Sequence, residues 1–218
     1  MEITWVDIIC VLAVFLSLAI ISTRRIVGMI QIFSLQSLLI GLLPLLINSG
    51  MPSAREILVA AGTILVKAAL VPAVLFWAIR HVSMRSEIKP LIGFGTSVII
   101  GAILIAGAFR MSLSLKIPWV AQYDLLVPCS LATMILGFML LVTRTRAITQ
   151  VVGYLVMENG IFLFALLLFD VMPLLVEMGI LLDIFVAVFI MAIIVNHINE
   201  EFEHAPATFN REKMGESI

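Results

Sequence analysis

Three side chains able to carry a charge lie near the centres of long apolar runs: Lys67, Glu158 and Asp183. On insertion scales each costs about 2.5–3.5 kcal/mol at a helix centre. Each therefore calls for a partner, a water-filled cavity or a change of protonation state. A carboxyl group in a low-dielectric setting can load and release a proton near neutral pH, and a water-linked series of such groups is what a proton relay requires. Two further polar residues extend the set: Glu177, roughly one turn inside its run, and Gln36, uncharged at the midpoint of another. Each has a plainer reading as well. Lys67 can pair with a carboxylate as structural glue, and Asp183 can be that carboxylate. Gln36 can make an interhelical hydrogen bond, and Glu177 can sit where water reaches it. Glu177 and Asp183 are separated by about 240° around a helix and do not share a face. Nothing in the chain pairs a nucleophile with a base for covalent catalysis. His81, His197 and His204 are too dispersed for a metal site, and Cys10 and Cys129 lie inside apolar runs. Asp7, Asp124 and Asp170 fall at the ends of runs and are expected in solvent.

The elements that must hold these residues are membrane helices. Apolar residues make up 62% of the 218 and charged residues 12%, against roughly 25% charged in soluble domains. Too little polar surface exists to cover a water-soluble globule. With a formal net charge of −1 there is no electrostatic footprint for nucleic acid. A spanning helix needs about 20 mostly apolar residues, and seven such runs occur: 3–22, 26–47, 57–79, 91–109, 125–142, 148–169 and 173–195. They lack the alternation of barrel strands. The first has neither a basic leading region nor a small-residue cleavage site, so it reads as a span. Seven spans put Arg24, Arg25, Arg80, Arg85, Lys89, Arg144, Arg146, Arg211 and Lys213 on one side, and Arg55, Arg110 and Lys116 on the other. The basic excess marks the first side as cytoplasmic, with the N-terminus outside and the polar tail, 196–218, inside. Gly93, Ser97 and Gly101 recur every four residues and predict a close helix approach. Pro44 and Pro72 predict kinks. Trp5, Trp77 and Trp119 lie near run ends, as interfacial anchors do.

A shift of 122 residues lays the second run on the sixth. Thr23 and Arg24 fall on Thr145 and Arg146, and Gln36 falls on Glu158. With a further gap, Lys67 meets Asp183 and His81 meets His197. The expected fold is therefore an all-α membrane protein of about seven helices, with two parallel three-helix repeats joined by one extra helix. The expected division is 1–90 for the first repeat, 91–123 for the connecting helix and loop, 124–198 for the second repeat, and 199–218 for a cytoplasmic tail.

The stretches "RAITQVVGYLVMENGIFLFALLLFD" and "EMGILLDIFVAVFIMAIIVNHI" resemble the K-type membrane subunit of bacterial complex I and the similar C-type subunit of multi-subunit cation/proton antiporters. A seven-span chain containing such a module resembles the hydrogenase-4 component E family. The resemblance is strongest over 125–200; in the first half it rests on the repeat and on "ILVKAALVPAVLFWAIRHV". It implies a non-catalytic inner-membrane subunit of a group 4 [NiFe]-hydrogenase or formate hydrogenlyase complex, contributing to proton or sodium translocation coupled to electron transfer. This chain would hold no cofactor. The [NiFe] centre and iron–sulfur clusters would sit on hydrogenase and iron–sulfur partner subunits, alongside antiporter-like membrane subunits and a quinone-subunit-like membrane anchor. Glu158 matches the second-helix glutamate of the K-type module, and Asp183 lies close to its third-helix carboxylate. Gln36 stands where the first repeat would carry a glutamate, leaving Lys67 as that half's ionisable group. Two alternatives share these residues: an antiporter subunit without redox chemistry, and a structural scaffold whose charges only pair.

Overall fold

The computed structural model describes residues 4–47, 53–81, 93–114 and 125–167, with Gly179, Phe185 and Val188 as isolated helical positions. Within these residues six helices are long and apolar enough to cross a membrane. Of the seventh run only Gly179, Phe185 and Val188 are described; Glu177 and Asp183 lie outside the described residues, as do Asp124, Asp170 and the tail.

The helices track the apolar runs closely because little else in those runs competes with helix formation. The first is Trp5–Ser22, the second Ile26–Ile47, the fourth Phe94–Ser112, the fifth Leu126–Thr143 and the sixth Ala147–Leu166. The third starts earlier than its apolar run and is not α-helical throughout. It runs as α-helix over Ala54–Thr63, π-helix over Ile64–Leu70 and α-helix over Val71–His81. Capping boxes open the first and third helices. Thr4 and Asp7 serve the first, and Ser53 and Glu56 the third, each side chain answering the other's backbone N–H. Asp7 is thereby buried, and not in solvent as its place at the end of a run predicts.

The first, second, fifth and sixth helices form a closed ring: first against second, second against sixth, sixth against fifth, fifth against first. The third helix packs on the second, and the fourth rests against the first and fifth. Two of the three small residues of the predicted row serve this approach, whereas Gly93 caps the helix and is exposed. Ser97 and Gly101 are buried, and a Cβ on Gly101 would meet Leu18 and Leu136. Large apolar side chains point outward all round, among them Phe15, Leu58, Leu65, Ile103 and Phe138. Such a surface suits lipid, where helices associate by close packing and hydrogen bonds and not by a hydrophobic drive. The chain is a multi-pass membrane protein.

At one end the first and fifth connections meet. Arg144 is fully buried there and donates from Nη2 to the Ile21 carbonyl at 2.6 Å, capping the last turn of the first helix. Its guanidinium and that of Arg24 both lie over the Phe94 ring, 4.8 and 5.2 Å from the centroid. Burial pushes the Arg144 pKa down from its ordinary value.

Candidate functional site

The sixth helix carries Glu158 with its backbone pinned. Gly153 and Gly160 flank the glutamate, and on the facing helix Gly137 completes the contact. A Cβ at Gly153 would lie 2.6 Å from the Leu141 amide nitrogen, and those at Gly137 and Gly160 would run into the backbone of Met157 and Met134. Only glycine permits this approach, and it fixes where the Glu158 side chain starts. Glu158 itself is 5% exposed.

Across the bundle, Lys67 sits within the π-helical stretch of the third helix and is 1% exposed. Its Nζ lies 3.8 Å from Glu158 Oε2 and 5.5 Å from the centroid of the Phe162 ring, one turn along the sixth helix. Two of the three charged residues singled out in the sequence are thus one unit, a buried ion pair with an aromatic face against its cation. At 3.8 Å the charges are farther apart than the roughly 2.7–2.9 Å of a charge-assisted hydrogen bond. The sequence allows Asp183 as a partner for Lys67. Glu158 occupies that role here, and Asp183 and Glu177 fall outside the described residues.

The neighbouring residues continue the polar seam. Asn159 donates from Nδ2 to Ser37 Oγ at 3.0 Å, joining the sixth helix to the second. Gln36, next to Ser37, donates from Nε2 to Ser17 Oγ at 2.7 Å and to the Ala13 carbonyl at 2.9 Å, joining the second helix to the first. Ser17 in turn donates to Ala13 O at 3.0 Å. Gln36 and Asn159 are fully buried, and their amide oxygens accept no hydrogen bond among the described residues. The seam therefore crosses four helices at mid-depth: first, second, sixth and third. Its neutral end is held by direct hydrogen bonds and its charged end by Lys67 and Glu158. Such a layer can orient a proton-carrying group at Glu158 and supply acceptors beside it, while Lys67 supplies the compensating charge.

Other contributors do not stand out by residue type alone. Ser34 donates from Oγ to the Ala68 carbonyl inside the π-helical stretch at 2.7 Å. A signal for it exists, since Pro72 has no N–H to offer the carbonyl four residues back, which is Ala68. Asp7 and Glu56 are legible in the same way, because Thr-x-x-Asp and Ser-x-x-Glu are the spacing of a capping box.

No family model matches the chain, and no solved structure matches it. Among curated proteins, hydrogenase-4 component E of Escherichia coli is 27% identical over 147 residues, covering 67% of this chain and 68% of that protein. The protein of the same name from Shigella flexneri aligns with the same figures. An uncharacterized protein of Mycobacterium tuberculosis is 26% identical over 195 residues, 88% of each chain. The chain is thus distantly similar to hydrogenase-4 component E, in line with that part of the resemblance; no K-type complex I or antiporter subunit is among these relatives.

Proposed function

We propose that this chain is a non-catalytic membrane subunit of a hydrogenase complex of the group 4 or formate hydrogenlyase type, and that Lys67 and Glu158 form part of its proton path. The subunit assignment is supported by the similarity to hydrogenase-4 component E together with the spanning helices. The path assignment is carried by one observation: a carboxylate and an ammonium buried together at mid-helix, at a depth where charge is costly. Iron–sulfur clusters and the [NiFe] centre belong to partner subunits in this reading, and the membrane partners are antiporter-like subunits and a quinone-subunit-like anchor. The basic connections, Arg24 and Arg25 in one and Arg144 and Arg146 in another, face the cytoplasm. Change of state in the redox arm reaches this chain as a change in the proton affinity of its buried pair.

Purification of the tagged chain from its native membranes in mild detergent tests the assignment. Hydrogenase large and small subunits and iron–sulfur subunits are expected to copurify. Recovery with antiporter-like subunits alone would replace the hydrogenase reading with that of a cation/proton antiporter subunit. Recovery of the chain alone would overturn both.

A further inference from the structure

Lys67 reaches Glu158 from a stretch of helix wound in an unusual register. In an α-helix the Ala68 carbonyl would receive the N–H of residue 72, but residue 72 is a proline with none, and its ring would clash with that carbonyl. The chain widens instead. The Val71 N–H donates five residues back, to Val66 O. Ala68 O is then taken by a side chain from another helix, Ser34 Oγ at 2.7 Å. At the start of the stretch, the Ile64 N–H is shared between Ala60 O and Ala61 O. Gly41 of the second helix lets Ile64 come close, since a Cβ there would lie 2.6 Å from Ile64 Cγ1. The wide turn inserts one extra residue, and this rotates one half of the helix against the other by about 100°. In the observed register Lys67 points inward, while Leu65 and Leu70 are exposed to lipid.

We propose that Ser34 and Pro72 are positioning residues that hold 64–70 in the π-helical register, and that this register places the Lys67 ammonium against Glu158. Pro72 removes the donor that would close an α-helical turn, and Ser34 satisfies the carbonyl so released. Without both, the α register becomes the better-bonded one and Lys67 turns off the face it shares with Glu158. The bearing of this device on ion movement rests on the proton-path reading; the device itself does not.

The test reads the contact directly. The full-length chain, labelled with 15N-lysine and 13C-glutamate, is reconstituted in lipid bilayers, and dipolar coupling from Lys67 Nζ to Glu158 Cδ is measured by solid-state NMR. The signal is assigned by its disappearance in Lys67→Met. The coupling is expected in the wild type and in Ser34→Thr, which keeps the hydroxyl. It is expected to vanish in the Ser34→Ala/Pro72→Ala double variant, where position 72 regains an N–H for Ala68 O. Wild-type coupling in the double variant, or its loss in Ser34→Thr, overturns the proposal. If the double variant does not accumulate, Pro72→Ala alone carries the test: a weakened coupling supports the proposal and an undiminished one overturns it. Because no ion movement is measured, a complex that pumps normally after Lys67→Met would remove the pair from the path and leave this inference standing.

Discussion

The hairpin of the first two helices and the hairpin of the fifth and sixth are built from similar apolar sequence, yet they solve the midpoint differently. In the first, Gln36 turns its amide onto Ser17 and the Ala13 carbonyl of its own partner helix. The polar group is neutral and its donor is satisfied within the hairpin. In the second, Glu158 faces away from its partner helix to the third helix and Lys67. The fifth and sixth helices need no polar link, because Gly137, Gly153 and Gly160 bring backbone against backbone. At 122 residues earlier those glycines are Phe15, Gln31 and Leu38, and Phe15 and Leu38 face outward. A hairpin held by glycine packing can release its polar midpoint for work elsewhere, whereas one held by its polar midpoint cannot.

That contrast can be broken by substitution. The largest effect is expected from removing one member of the charged pair. Lys67→Met or Glu158→Ala leaves a buried charge uncompensated and should cost about 3–5 kcal/mol, while Lys67→Met/Glu158→Met should be far closer to neutral. Thermal unfolding in detergent, monitored as loss of monodisperse elution, ranks the three. Next comes Gly153→Leu, which forces the fifth and sixth helices apart; overpacking of this kind costs about 1–3 kcal/mol, read in the same assay. Gln36→Met removes an interhelical hydrogen bond, and such bonds in membranes average about 0.6 and reach about 1.7 kcal/mol. If Gln36→Met proved as damaging as Lys67→Met, the two midpoints would be energetically alike and the distinction between the hairpins would fail. The smallest effect belongs to Phe15→Ala. Its ring is 63% exposed, and a change at an outward position should stay within about 0.5 kcal/mol.

Much of this arrangement is legible in the amino acids. Long apolar runs with few breakers leave helices as the only way to satisfy the backbone in lipid, so the six described helices sit where the runs predict. Lys67, Glu158 and Gln36 stand out because a polar group at mid-depth has to be accounted for. Their pairing is harder to foresee. Whether Lys67 meets Glu158 or another carboxylate depends on the rotation of the third helix, and that rotation is changed by a single inserted residue that periodicity in an apolar segment does not reveal. Arg144 shows the converse difficulty. Among several arginines near span ends it reads as one more basic residue of a connection, and its burial against Phe94 and Ile21 O comes from how two connections meet. Asp7 departs from expectation for a local reason, since its capping role with Thr4 lies in a four-residue spacing and outranks its position at a span end.

The most direct test of the central claim is proton movement by the intact complex in proteoliposomes, recorded with a pH-sensitive dye during hydrogen turnover. Wild type is set beside Glu158→Gln and the Lys67→Met/Glu158→Met double variant, with subunit content verified for each. Loss of proton translocation in both variants, with full assembly and retained turnover toward an artificial electron carrier, is the predicted result. Wild-type translocation by a fully assembled double variant would contradict it.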